Sequence, residues 1–142
     1  MSISPITAAI ALLGFAGCAF AILKGGPAER SGGAVILANL LLLWVADMTW
    51  PDASSGVVGL LVDGLTAMGL LFIVLRHGSL WLGGVMILYA AQFSLHSFYF
   101  VTERPKDDFH AIANNTNFIA IITCLMIGAS IAWRRRLRSV AN

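Results

Sequence analysis

Long apolar runs separated by short polar segments form the dominant pattern of this chain. Five runs can be distinguished, at residues about 6–23, 33–50, 56–75, 79–101 and 109–133. Each is close to the ~20 residues that an α-helix needs to cross a hydrocarbon layer of ~30 Å. The polar segments between them carry Gly, Pro, Asp and Ser, which favour turns and helix caps. The pattern therefore predicts an all-α integral membrane bundle of five transmembrane helices.

The composition agrees with a membrane protein and excludes an ordinary soluble domain. Of the 142 residues, 58% are hydrophobic and only 11% are charged. The five runs use nearly the whole chain, so we expect a single domain over residues 1–142. No phosphate-binding loop, catalytic elbow or nucleic-acid surface is recognisable, which indicates a protein that is not an enzyme and does not bind nucleic acid.

The basic residues are distributed unevenly between the two sets of loops, and this predicts an orientation. Seven of the nine lie in the segments after the first, third and fifth runs: Lys24, Arg30, Arg76, Arg134, Arg135, Arg136 and Arg138. The opposite loops hold Arg104 and Lys106 among several acidic residues. Short loops rich in Lys and Arg stay in the cytoplasm. We therefore expect an external amino terminus and a cytoplasmic carboxyl terminus.

One carboxylate interrupts the third apolar run. Asp63 stands in "GVVGLLVDGLTAMGLLFIVLRHG", roughly 10 Å below the outer boundary at 1.5 Å per residue. An ionised group in hydrocarbon costs roughly 2.5–3.5 kcal/mol on insertion scales, so such residues usually face a partner inside the bundle. Asp63 is therefore predicted to point inward.

Two polar stripes lie at a similar depth on the fourth and fifth runs. Residues three, four and seven apart share a helix face. The stripe on the fourth run contains Tyr89, Gln92 and His96, and the stripe on the fifth contains Asn114 and Asn117. Together with Asp63 they predict a polar pocket in the outer half of the membrane. Asp47 and His110 are shallower and are expected at its periphery. The inner halves of the runs carry only milder polar groups, such as Asn39, Thr66 and Thr123.

The order of features over residues 56–96 resembles a known set of membrane proteins. An Asp lies in the third run, Arg76 closes it, Trp81 opens the fourth, and "QFSLH" supplies Gln92 and His96. This order is similar to that of a family of small five-span inner-membrane proteins of alphaproteobacteria. The resemblance covers under a third of the chain. It implies a multi-pass topology in the bacterial inner membrane and no particular activity.

Four roles for Asp63 and His96 are compatible with the sequence. They could form a hydrogen-bonded pair that fixes the order of the helices, or bind a quinone, a lipid head group or another small hydrophobic compound. They could also relay protons. Ligation of a metal or haem by His96 and His110 is a further alternative, although their spacing matches no metal motif, so we predict no metal site and identify no cofactor.

With so little of the chain outside the membrane, partners must be met through helix faces, short loops or the basic tail. The sequence therefore favours a non-catalytic accessory subunit of a larger membrane complex, in contact with other integral subunits and with membrane lipids. The alternative is an independent small transporter or binding protein that uses the outer polar pocket.

Overall fold

Five α-helices make up almost all of the chain in the computed structural model, which describes residues 5–50, 56–105 and 107–141. They are α1 (Pro5–Lys24), α2 (Pro27–Thr49), α3 (Val57–His77), α4 (Leu80–Val101) and α5 (Asp108–Ala141). The described residues contain no strand. The predicted all-α fold of five helices is confirmed. Helices α2 to α5 are long and apolar enough to cross a membrane, and α1 is a shorter apolar helix, so the fold fits a small multi-pass membrane protein.

Helix α2 begins six residues earlier than the sequence suggested, at Pro27 instead of residue 33. The predicted polar loop is reduced to Gly25 and Gly26. Proline suits the first position of a helix because the N–H it lacks would have no partner there. Glu29 lies in the first turn, where an acidic residue is favourable. Polar residues were therefore mistaken for a loop when they form the start of a helix.

Helix α5 continues beyond the predicted end at residue 133, to Ala141. Arginine is a good helix former, and basic residues at a carboxyl-terminal end interact favourably with the helix dipole. At 34 residues the helix is about 51 Å long, which exceeds the hydrocarbon layer of ~30 Å. The arginine-rich segment thus extends the bundle as a helix.

The helices form a closed ring in which each packs against its neighbours in sequence and α1 also packs against α5. Consecutive helices run antiparallel, whereas α1 and α5 run parallel. Glycine allows the close approach of this last pair, since a Cβ at Gly17 would lie 2.4 Å from Ile122 Cγ2. We call the end of the ring where α1 and α5 terminate the basic end, and the end where both begin the acidic end.

The interior of the ring is mainly apolar, but six of the buried residues that the structure describes are polar or charged. The apolar core includes Cys18, Leu70, Tyr89, Ile121 and Leu125. The polar residues buried with them are Glu29, Asn39, Asp63, Thr66, Gln92 and His110. Buried polar groups need partners, so their positions indicate where specific contacts lie.

The orientation of the bundle is a prediction that reporter fusions can test. A reporter fused after Asn142 is expected to be active only in the cytoplasm, because the basic residues concentrate at that end. One inserted near Lys106, which lies outside the described residues, is expected to be active only on the external side. The opposite pattern of activities would place the acidic end in the cytoplasm and contradict the prediction.

Candidate functional site

Asp63 lies inside the ring and is hydrogen-bonded to side chains of two other helices. It is only 1% exposed. His96 Nδ1 on α4 donates to one carboxylate oxygen at 2.6 Å, and Asn39 Nδ2 on α2 donates to the other at 3.1 Å. The structure thus joins two of the residues that the sequence placed in one polar pocket. The carboxylate therefore joins three helices.

Asn39 and Thr66 belong to this cluster, although the sequence suggested only a minor role in the inner half of the membrane. Asn39 Nδ2 donates to Asp63 and also to Thr66 Oγ1, at 3.0 Å. The Thr66 hydroxyl in turn donates to the backbone oxygen of Val62 at 2.8 Å. Asn39 lies ten residues before Thr49, about 15 Å from the end of its helix, and is thus nearer the midplane than Asp63. Asn39 bonds to both Asp63 and Thr66, which lie about one helical turn apart on α3.

The cluster continues from His96 to α5. Its second ring nitrogen, Nε2, lies 3.0 Å from Asn114 Oδ1. The His96 ring also stacks on that of His110, with centroids 5.5 Å apart and planes inclined by 22°. Four helices, α2 to α5, are therefore connected through Asp63 and His96.

Both ring nitrogens of His96 face oxygen atoms, and this arrangement determines which protonation states of His96 can be hydrogen-bonded. An imidazolium would donate to Asp63 and Asn114 together. If the side-chain amide of Asn114 rotates by 180°, its N–H group faces Nε2 instead and can donate a hydrogen bond to the neutral imidazole. Asn114 can therefore satisfy His96 in either state of protonation.

The hydrogen-bond chain ends inside the protein in the direction of the basic end. Asn39 uses its two amide hydrogens on Asp63 and Thr66, and Thr66 uses its hydroxyl hydrogen on Val62. Among the described residues, no further side chain carries the chain onward from Thr66. The geometry therefore gives little support to a proton path across the whole membrane.

A cavity of about 270 Å³ lies beside His96, between α1, α2, α4 and α5. One part of its wall is apolar and includes Leu40, Leu43 and Phe118. The other part is polar, with side chains from three helices: Asn39, Tyr89, Gln92, His96, His110, Asn114 and Asn115. A few converging polar groups on an apolar wall are typical of a small-molecule site.

The predicted pocket residues are brought together, but not all of them line the cavity. Tyr89, Gln92, His96 and Asn114 line the cavity, while Asp63 lies behind His96 and Asn117 supports Gln92 through a hydrogen bond of 3.1 Å. His110, expected at the periphery, is part of the cavity wall. Asp47, also expected there, is exposed at the acidic end and is not among the lining residues.

A second small network closes the loop between α4 and α5 near the cavity. The Tyr99 hydroxyl donates to Asp107 at 2.6 Å, and the backbone N–H of His110 donates to the same carboxylate at 2.9 Å. These bonds, that of Tyr99 foremost, hold the pKa of Asp107 below its usual range. The Tyr99 ring also packs edge-on against His110, with centroids 4.7 Å apart. The network therefore fixes one wall of the cavity.

The described part of the chain contains no group of three or more His, Cys, Asp or Glu residues placed to hold a metal ion. Comparisons with protein-family models, curated proteins and solved structures found no match. The function therefore has to be inferred from the chemistry of the cavity and its hydrogen-bond chain.

Proposed function

We propose that this membrane protein binds a small amphipathic ligand, with a carbonyl-bearing head such as a quinone ring in the cavity and an apolar tail in the lipid. The observation that carries the proposal is the combination of a partly open cavity with hydrogen-bond donors that the bundle itself does not use. The volume of about 270 Å³ is slightly below the range of ~300–1,000 Å³ usual for whole drug-sized ligands. It therefore suits a head group whose tail stays outside.

The donors are contributed by α4 and α5. Asn117 donates to Gln92 Oε1, which leaves the Gln92 amide N–H groups to face the cavity. The hydroxyl of Tyr89 makes no hydrogen bond with any described residue. Asn114 accepts at Oδ1 and keeps its own N–H groups. Such donors match carbonyl oxygens, and the apolar part of the wall suits the rest of a ring.

Asp63 and His96 hold this wall in place. A side chain that bonds a ligand precisely must itself be fixed by neighbours, and His96 is held at both nitrogens. The protonation of His96 also changes which way Asn114 presents its amide. Ligand binding is therefore coupled to the state of the pair without requiring a chemical reaction.

Titration of the purified protein with a benzoquinone that carries a decyl chain tests the proposal. We expect saturable binding by calorimetry, and about tenfold weaker binding for Gln92→Leu and for Asn114→Leu, since each loses a hydrogen bond worth ~1–1.5 kcal/mol. Decylbenzene, which has the same tail but no carbonyl groups, is expected not to saturate the site.

Thr116→Leu is the matched control, because Thr116 is an exposed residue of the same helix outside the cavity. Its affinity for the quinone should equal that of the unaltered protein. Two results would contradict a head-group site. One is equal affinity for decylbenzene and the quinone, and the other is an equal loss of quinone affinity in Thr116→Leu and Asn114→Leu.

A role as an accessory subunit is the second candidate, and the end of α5 is the feature that favours it. Residues 133–140 are all exposed on a helix that runs beyond the bundle, and four of them are arginines. This surface could contact a larger complex. Stoichiometric co-purification of another membrane protein in mild detergent, lost when residues 134–142 are removed, would support this role over an independent binding protein.

A further inference from the structure

A larger cavity, of about 590 Å³, lies at the basic end of the ring, away from the Asp63 cluster. It is bordered by the start of α2, the turn between α3 and α4, and the last turns of α5. Its polar side chains include Glu29, Ser79, Arg135 and Arg136, and its apolar ones include Trp81 and Ile131. Charges of both signs therefore face the same space.

Glu29 is the unusual member of this wall. It is only 8% exposed, and the Ser79 hydroxyl donates to its Oε1 at 2.8 Å. Its Oε2 faces Gly26, where an added Cβ would lie 2.9 Å from it. Within the described residues, the one ion pair within 4.0 Å joins His96 and Asp63, so Glu29 has no cationic partner there. A buried carboxylate without a cation is costly, and this one borders a cavity large enough to admit a partner.

The arginines offer the complementary charge. Arg136 donates through Nη2 to the backbone oxygens of Lys24 and Gly25, which fixes the side chain and leaves other N–H groups of the guanidinium unused. Arg135 lines the cavity and makes no hydrogen bond with a described residue. Guanidinium groups bind phosphate oxygens in a planar, bidentate way. The amino-terminal end of α4, capped by Ser79, adds positive electrostatic potential.

We propose that this cavity binds the head group of a phospholipid that carries both a phosphate and a primary ammonium group, as phosphatidylethanolamine does. Arg135 and Arg136 bind the phosphate, and Glu29 accepts hydrogen bonds from the ammonium group. The neighbouring Leu80 is 90% exposed on the outer face of α4, where acyl chains would lie. A purely anionic head group would bind the arginines but leave the Glu29 carboxylate without a cation.

Thermal unfolding of the delipidated protein in mixed micelles, with lipids of identical acyl chains, tests the proposal. Dioleoyl phosphatidylethanolamine should reach half-saturation at a concentration at least about tenfold lower than dioleoyl phosphatidylcholine, whose quaternary nitrogen has no N–H to donate. The half-saturation concentrations of mono- and dimethylated ethanolamine lipids should lie between these two values. This series uses the unaltered protein, so it gives a result even where a variant fails to fold.

Variants assign the two halves of the head group. Glu29→Gln should abolish the preference for the ethanolamine lipid over the choline lipid. Arg135→Gln should instead weaken the binding of both lipids by a similar factor. Arg138→Gln is the control, because Arg138 is an exposed arginine of the same helix that does not line the cavity.

Three results would overturn the proposal. One is equal affinity for ethanolamine and choline lipids, and another is tightest binding of dioleoyl phosphatidylglycerol, which would indicate attraction to the basic cluster alone. The third is an equal effect of free phosphoethanolamine at the same concentration, which would assign the site to a soluble amino-phosphate instead of a lipid.

Discussion

Replacement of Asp63 by leucine is expected to lower the free energy of unfolding by about 3 kcal/mol, because removing one member of a buried hydrogen-bonded pair leaves the other without its partner. His96 would lose the acceptor at Nδ1, and Asn39 would lose one of its two acceptors. His96→Leu should have an effect of similar size, since it leaves the carboxylate with Asn39 alone. Unfolding by sodium dodecyl sulfate in mixed micelles measures both losses.

The double variant Asp63→Leu with His96→Leu should lose less free energy of unfolding than the two single variants lose in sum, because neither member of the pair is then left without its partner. Ser94→Leu provides the control, since Ser94 is an exposed polar residue of α4 whose side chain bonds, among the described residues, to the backbone oxygen of Ala90 alone. It should change stability little. Strictly additive losses for Asp63 and His96 would show that the two residues do not act as a pair.

Substitution of Gly17 by valine is expected to destabilise the bundle by about 2 kcal/mol through overpacking between α1 and α5. A Cβ at this position would lie 2.4 Å from Ile122 Cγ2, and Ile122 is itself only 1% exposed, so it has little freedom to move away. The two helices would have to separate. Because α1 contributes Ile10 and Ala11 to the cavity beside His96, the same variant should also weaken ligand binding there.

Gly83→Val is the matched control for this substitution. Gly83 also lies inside a helix, but no atom of the described residues lies within 4 Å of a Cβ added there, apart from its chain neighbours and its own helix backbone. Its stability should change by about 0.5 kcal/mol or less. Equal losses at Gly17 and Gly83 would mean that the intrinsic preference of valine in a helix, and not the contact between α1 and α5, determines the effect.

The sequence predicted the number and type of the elements because their apolar runs are long, but it placed two boundaries wrongly. Both errors concern charged residues near the basic end. Glu29 and Arg30 were expected in a loop, and the arginines after Trp133 were expected only as a tail. Charge indicates that a segment leaves the hydrocarbon layer. It does not indicate that the helix ends there.

The site was predictable where depth and helical spacing agreed. Asp63, His96 and Asn114 lie at similar depth on sequential helices, and the structure brings them together. Asn39 was missed because depth was counted along each helix axis, whereas side chains reach to neighbouring turns. The buried side of α2 could have been inferred from the helical spacing of Gly32, Gly33, Ile36 and Asn39, which lie on that side.

The packing of α1 against α5 has a consequence for the order in which the protein assembles. The contacts between Gly14 and Phe118 and between Gly17 and Ile122 join positions more than a hundred residues apart. During synthesis, α1 and α2 are made long before α5, so the glycine face of α1 lacks its final neighbour in the meantime. The cavity beside His96 needs α1, α2, α4 and α5 together. Packing of α5 against α1 is therefore the step that completes the proposed binding site, and a chain released before that step should be unable to bind the ligand.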